Sequence, residues 1–259
     1  MPRKIRIAVQ LHPQHADYPA IRDAVMRAEE GGADIVFNWD HFYPLYGDPD
    51  GKHYESWTML GAWAEQTERV EFGALVTCGG YRNPDLLADM SRTIDNMSGG
   101  RFILGIGGGW FKKDYNQYGY EFGTPGTRLN LLAEYLDRID ARLSKLNPAP
   151  LRHIPILIGG SGEKKTLRQV AEHGDIWHGF NDLAKYRHKS EVLAEHCSAV
   201  GRNPDEIERS TEIGRISEAE ANGLADAGVT LFTIGVGGPD YDLSKLAKWG
   251  AWRDARNAG

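Results

Sequence analysis

IPILIGGSGEKKT, residues 154–166, is an apolar run that breaks into glycines and then opens a stretch of helical spacing. Glycine lets the chain turn sharply, and a helix start leaves backbone N–H groups free, so the segment reads as strand, loop and helix. The same order recurs along the 259 residues, with apolar β-rich runs at 5–11, 34–38, 70–77, 102–106, 154–158, 175–178, 207–213 and 231–236. Between them lie helical spacings such as Ile21, Val25 and Ala28, or Leu86, Met90, Ile94 and Met97. Punctuation agrees. Pro19 and Pro84 stand where a first helical turn tolerates proline, Gly31 and Gly99 follow helix ends, and Ser217 with Glu220 forms a capping box. The runs rarely alternate, as in parallel strands buried on both faces. Eight βα units without linker, repeat or low-complexity interruption predict one α/β domain over residues 1–259, a (β/α)8 barrel of the TIM type. A doubly wound open sheet is the other topology the pattern allows. The longest irregular stretches are 43–54 and 112–126.

Thirty Lys and Arg against 36 Asp and Glu give a net charge of −6, and 41% of residues are hydrophobic. That composition supports a core and argues against broad nucleic-acid or anionic-membrane binding, which need dense cationic surface. Cys78 and Cys197 offer neither a disulfide framework nor a zinc set, in keeping with a reducing cytoplasm. Charges interrupt the N-terminal MPRKIRIAVQL, which lacks a signal-peptide core, and no apolar run approaches the roughly 20 residues that span a bilayer. A soluble, unexported protein acting on a small molecule is expected.

In a barrel, functional residues lie at C-terminal strand ends. That rule selects Gln10 and His12, then Trp39, Asp40 and His41, then Thr77 and Cys78, then Gly107 to Trp110. It further selects Gly159, Gly160, Ser161 and Gly162, then Trp177 and His178, then Glu212 and the glycines 235, 237 and 238. The loop 159–162, backed by Lys164 and Lys165, offers free N–H groups and the positive end of a helix dipole to a phosphate. It has neither P-loop nor GxGxxG spacing, and a plain tight turn is the alternative. The glycines at 235–238 are a second phosphate candidate, because barrels often bind phosphate after strands seven and eight. Asp40 and His41 bring a carboxylate and an imidazole to the mouth, where they read either as an acid/base pair or as a structural pair. His12 and His15, spaced HxxH across Pro13, do not have metal-ligand spacing, so no metal is expected. Trp39 and Trp110 are the tryptophans placed to floor a planar ligand.

These residues resemble the luciferase-like flavin and deazaflavin oxidoreductases, specifically the branch that uses the deazaflavin F420. The resemblance spans nearly the whole chain and is carried by GGADIVFNWDHF (31–42), GALVTCGGYRNP (73–84), MSGGRFILGIGGGW (97–110), IPILIGGSGEKKT and DIWHGF (175–180). The pattern Arg-Phe-x-Leu-Gly-x-Gly-x-Gly-Trp is the most specific part, and Asp40-His41 tilts the cofactor from FMN toward F420. The resemblance implies a barrel with the cofactor ring in its mouth, pressed by a nonprolyl cis peptide at about Ala74-Leu75. It implies that Asp40 contacts the deazaflavin head, His41 stands by the reacting carbon as the catalytic group, and Thr77 touches ring or ribityl. Gly159, Gly160, Ser161 and Gly162 would hold the phosphate, with Leu75, Gly107 and Trp177 completing the cofactor site and His12 and Trp110 the substrate pocket. A homodimer is its candidate assembly.

Two departures bear on substrate. Trp110 stands where the sugar-phosphate dehydrogenase branch has an acidic residue after the fourth-strand glycines, and the segment 210–220 is brief. The expectation is an F420-dependent oxidoreductase passing a hydride to or from a small organic substrate. An FMN-dependent monooxygenase and a cofactor-binding barrel without turnover are the alternatives.

Overall fold

In a computed structural model, which describes residues 3–259, the chain forms a closed barrel of parallel strands wrapped by helices. The strands are β1 (Arg6–Leu11), β2 (Ile35–Asn38), β3 (Glu71–Ala74), β4 (Thr77–Cys78), β5 (Phe102–Gly107), β6 (Ile156–Gly159), β7 (Ile176–Gly179), β8 (Glu208–Glu212) and β9 (Val229–Val236). The helices are α1 (Tyr18–Glu30), α2 (Ser56–Gln66), α3 (Pro84–Met97), α4 (Lys112–Tyr118), α5 (Pro125–Leu143), α6 (Thr166–His173), α7 (Leu183–Ala199), α8 (Glu218–Asp226) and α9 (Ser244–Ala258).

The order β3-β2-β1-β9-β8-β7-β6-β5-β4 closes because β3 also pairs with β5. Nine strands therefore make eight staves. The third stave is interrupted between Ala74 and Thr77 and resumes as β4, which pairs with β5 through Thr77↔Ile106 and Cys78↔Gly107. A cis peptide joins Leu75 to Val76 at the break, one residue later than the Ala74-Leu75 position implied by the sequence resemblance. Closure there depends on missing side chains: a Cβ at Gly73 would lie 2.1 Å from Ile103 O, and one at Gly105 would lie 1.9 Å from Ala74 O. Only glycine allows that backbone approach.

Ala8, Ile35, Phe37, Ile103, Leu157, Ile176 and Leu231 fill the barrel interior, with Leu75 and Val76 packed above them. Alternate residues such as Ile7, Val36, Phe72, Leu104, Ile158 and Trp177 point outward into the helical layer, so both strand faces are buried. At the N-terminal end Arg6 pairs with Glu71 and Glu208, and Arg152 binds Glu71 at 2.7 Å, plugging the barrel with charges. The opposite end is open. Helix punctuation follows the sequence: Pro84 starts α3, Gly31 caps α1, and Ser217 with Glu220 makes a capping box on α8. One expectation differs, since the stretch 112–126 contains α4. Its sequence KKDYNQY has no apolar period, and the helix is held by two buried residues, Asp114 and Tyr115.

Candidate active site

A cavity of about 610 Å³ occupies the open end of the barrel. Its floor is Gln10, Leu75 and Val76, and the Gln10 amide donates to Leu75 O at 2.7 Å, holding the interrupted stave. Thr77, Gly107 and Gly159 also line it. A Cβ at Gly107 would meet Val76 Cγ2 at 2.9 Å and one at Gly159 would meet Val76 Cγ1 at 3.1 Å, so bare backbone at both positions leaves Val76 room over the floor. Thr77 is fully buried, and its hydroxyl oxygen accepts from the Trp57 indole at 3.2 Å.

His41 lines the same cavity and is mostly buried. Its Nδ1 lies 2.7 Å from Asp114 Oδ2, and Asp114 has no solvent exposure. The Tyr81 hydroxyl donates to the same oxygen at 3.0 Å, and Phe42 N–H donates to Oδ1 at 3.3 Å. No Lys or Arg pairs with Asp114 among the described residues. The carboxylate accepts from Nδ1–H, which fixes the imidazole tautomer and leaves Nε2 without a partner among the described residues, as a donor or acceptor for whatever enters the cavity. Burial pushes the Tyr81 hydroxyl up, reinforced by Cys78 and Asp114, so it stays protonated as a donor. Nearby, Cys78 Sγ lies 3.0 Å from Tyr115 Oη, and burial raises the thiol to about 11, against the hydrogen bond from Tyr115. The cysteine is an inert wall residue at neutral pH.

Asp40 reaches the cavity wall, but both its oxygens are occupied. Arg82 binds it in a fork, at 2.6 Å to Oδ2 and 3.0 Å to Oδ1, and Cys78 N–H donates to Oδ2 at 3.1 Å. Burial raises its pKa against the opposing pull of Arg82 and that N–H. Arg82 is also shared with Glu55, 2.6 Å away, which caps α2 through Trp57 and Thr58 N–H. Asp40 thus fastens β2 to β4 and the start of α2.

At the β6 side, Gly160 turns at φ +124° and lines the cavity with Thr166, the first residue of α6. The N–H groups of Ser161 and Gly162 have no acceptor among the described residues, and the Ser161 hydroxyl is buried without a partner. Arg128, on α5, completes this end. Its Nε donates to Gly109 O at 3.0 Å, its Nη1 to Phe122 O at 2.9 Å, and it lies over the Phe122 ring, with no carboxylate partner among the described residues. Lys165 is turned away, bonded to Gly126 O and Asn130 on α5, and Lys164 is exposed.

Trp177 and His12 stand elsewhere than expected. Trp177 is buried outside the barrel, stacked on Tyr186, and reaches the loop only through its indole N–H, 2.7 Å from Gly160 O. It supports the loop from behind and does not face the cavity, because the alternate residue Ile176 takes the inward position. His12 is stacked on Trp39 with ring centroids 4.4 Å apart and bonds Tyr46 through Nδ1, so Trp39, not His12, forms the wall. Burial, with Arg215 nearby, lowers His12 to about 4; burial also takes His178, bonded to Ser210 Oγ at 2.9 Å, to about 4. Trp110 does line the mouth and is 62% exposed. No cluster of three potential metal ligands occurs among the described residues, and no helix among them is long and apolar enough to cross a membrane.

Residues 4–221 match the family described as luciferase-like monooxygenase. The chain belongs to that family of oxidoreductases. An uncharacterized protein of Mycobacterium tuberculosis is 26% identical over 208 residues, 66% of this chain and 73% of its own. A 5,10-methylenetetrahydromethanopterin reductase of Archaeoglobus fulgidus is 31% identical over 163 residues, 58% of this chain and 46% of that protein. Among solved structures, an F420-dependent secondary alcohol dehydrogenase in complex with an F420-acetone adduct superposes with a TM-score of 0.81 at 16% identity. It covers 95% of this chain and 97% of its own. At that identity the match establishes the luciferase-like barrel, and the chemistry has to be argued from the residues.

Proposed function

We propose that the cavity holds the deazaflavin F420 and that the protein passes a hydride between it and a small organic substrate, with His41 handling the accompanying proton. The observation that carries this reading is the His41–Asp114 pair, which presents an imidazole Nε2 of fixed orientation to the cavity. When bound, the deazaflavin supplies hydride chemistry at its C5 carbon. The chain's residues do the rest. Leu75 and Val76 offer an apolar floor to a planar ring, with Thr77 at its edge and Gly107 and Gly159 keeping the side walls low. The orphaned Ser161 hydroxyl, the free N–H groups of Ser161 and Gly162, and the unpaired Arg128 fit a phosphate at the start of α6. Asp40 acts through Arg82 and Cys78 N–H, holding the wall on which the ring head rests. The F420 of the secondary alcohol dehydrogenase whose fold this chain shares supports the choice of deazaflavin.

The family's monooxygenase description supports a second reading, FMN with oxygen as co-substrate. The two are separated by mixing protein and reduced F420 anaerobically with candidate carbonyl compounds and following deazaflavin absorbance. Recovery of oxidised F420 without oxygen supports hydride transfer. Turnover seen only with reduced FMN and oxygen supports the second reading.

A further inference from the structure

Resting on the reading of the loop after β6 as the anion end of the cavity, we infer that Glu163 is a positioning residue. Gripped from outside by α7, it fixes the loop in the shape that receives the cofactor's phosphate, and so sets affinity for that phosphate without touching it.

The loop does little to hold itself. Its backbone N–H groups from Ser161 to Lys165 find no acceptor among the described residues, and Lys165, at the N-cap of α6, makes no side-chain cap. A loop of this kind, left free, has to be ordered when a ligand binds, at a cost to affinity. Outside contacts order it in advance. At its start Gly160 O accepts from the Trp177 indole at 2.7 Å, and at its end the Lys165 ammonium donates to Gly126 O at 3.2 Å and to Asn130 Oδ1 at 2.6 Å. Between these ends the grip is on Glu163. Its Oε1 accepts from Lys189 Nζ at 2.5 Å and from His188 Nε2 at 2.9 Å, and its carbonyl oxygen accepts from His196 Nε2 at 2.7 Å.

His196 follows His188 and Lys189 by about two helical turns, so one face of α7 presents all three donors to the loop. That face is anchored, because Leu193 lies between them and is buried in the core. Exposed ion pairs alone hold little, and the partly buried bond from His196 to the Glu163 backbone is what makes the grip a fixed one. Glu163 forms no part of the cavity wall. Bonding from Lys189, then from His188, holds its carboxyl below the usual carboxylate range, so it is charged at neutral pH and answered by its partners. Charge and position therefore act in opposite directions when the side chain is removed. Losing a negative charge and freeing Lys189 favours a nearby anion, whereas losing the grip disfavours it.

The test is equilibrium binding of the full chain to two matched pairs, F420 against a deazaflavin lacking the phosphate and FMN against riboflavin, in Glu163→Ala, Glu163→Gln and His196→Leu. Glu163→Ala and His196→Leu should each weaken F420 about fivefold and leave its phosphate-free counterpart within about twofold. Glu163→Gln keeps an oxygen for both donors and should stay within about twofold of the unsubstituted protein. Unchanged or tighter F420 binding in Glu163→Ala, equal weakening of both members of a pair, or Glu163→Gln as weak as Glu163→Ala overturns the inference. If FMN binds and F420 does not, the same pattern in the FMN and riboflavin pair supports the inference and overturns the cofactor assignment alone. Binding of neither pair overturns both.

Discussion

His41 Nδ1 and Asp114 Oδ2 are 2.7 Å apart, although 73 residues separate them in the chain. The imidazole comes from the end of β2 and the carboxylate from the first turn of α4, so one buried contact ties the catalytic candidate to the aromatic loop that covers it. Because Asp114 also accepts from Tyr81 and Phe42, its position is over-determined. The imidazole hanging from it has one orientation.

Asp114→Asn should keep the shape while replacing the carboxylate acceptor that fixes the tautomer and orientation of the His41 ring. Turnover is expected to fall about 10²-fold with F420 affinity little changed. Unchanged turnover would make Asp114 a packing residue only. Steady-state kinetics beside a direct binding titration separates the two.

Arg128→Gln removes the unpaired guanidinium from the cavity while an amide can still reach Gly109 O or Phe122 O. Cofactor affinity is expected to drop about tenfold or more, as befits loss of a charge-assisted contact, with the folded state retained. Affinity for a deazaflavin lacking the phosphate should hardly respond. If both ligands weaken alike, Arg128 shapes the wall and does not read the anion.

Three histidines make stability pH-dependent in a definite direction. Burial lowers His12, His53 and His178 to about 4, whereas their unfolded value is about 6.5. Between those limits the unfolded chain binds more protons, so stability rises with pH through the window, is fully present above it and is lost as pH falls toward 4. Thermal melts at pH 7, 6 and 5 should show a falling midpoint. His178→Gln should flatten that dependence, and an unchanged slope would assign it to carboxylates.

Most of the fold is legible in the sequence because glycine and proline mark each βα junction, and buried parallel strands leave continuous apolar runs. The same rule selected Asp40, His41, Thr77, Gly159 and Gly160, which line the cavity at strand ends, while Ser161 and Gly162 of the same loop do not line it. It could not find Asp114 or Arg128, which sit on helices and face the mouth only after the chain has folded back; the polar sequence of α4 carries no period to mark it. Trp177 shows a different limit. Neighbours in a strand point to opposite faces, so assigning Ile176 inward sends Trp177 outward, and apolarity on both faces hides which is which. His12 likewise lies at a strand end, yet the Trp39 ring stands between it and the cavity wall.

Recognition of a deazaflavin by this mouth underlies the proposed function. Fluorescence titration of the purified protein with F420 and, in parallel, with FMN tests it most directly, with Arg128→Gln as the control for binding at this site. F420 should bind saturably, more tightly than FMN, and more weakly to the substituted protein; tight FMN binding with no detectable F420 binding rules out a deazaflavin site.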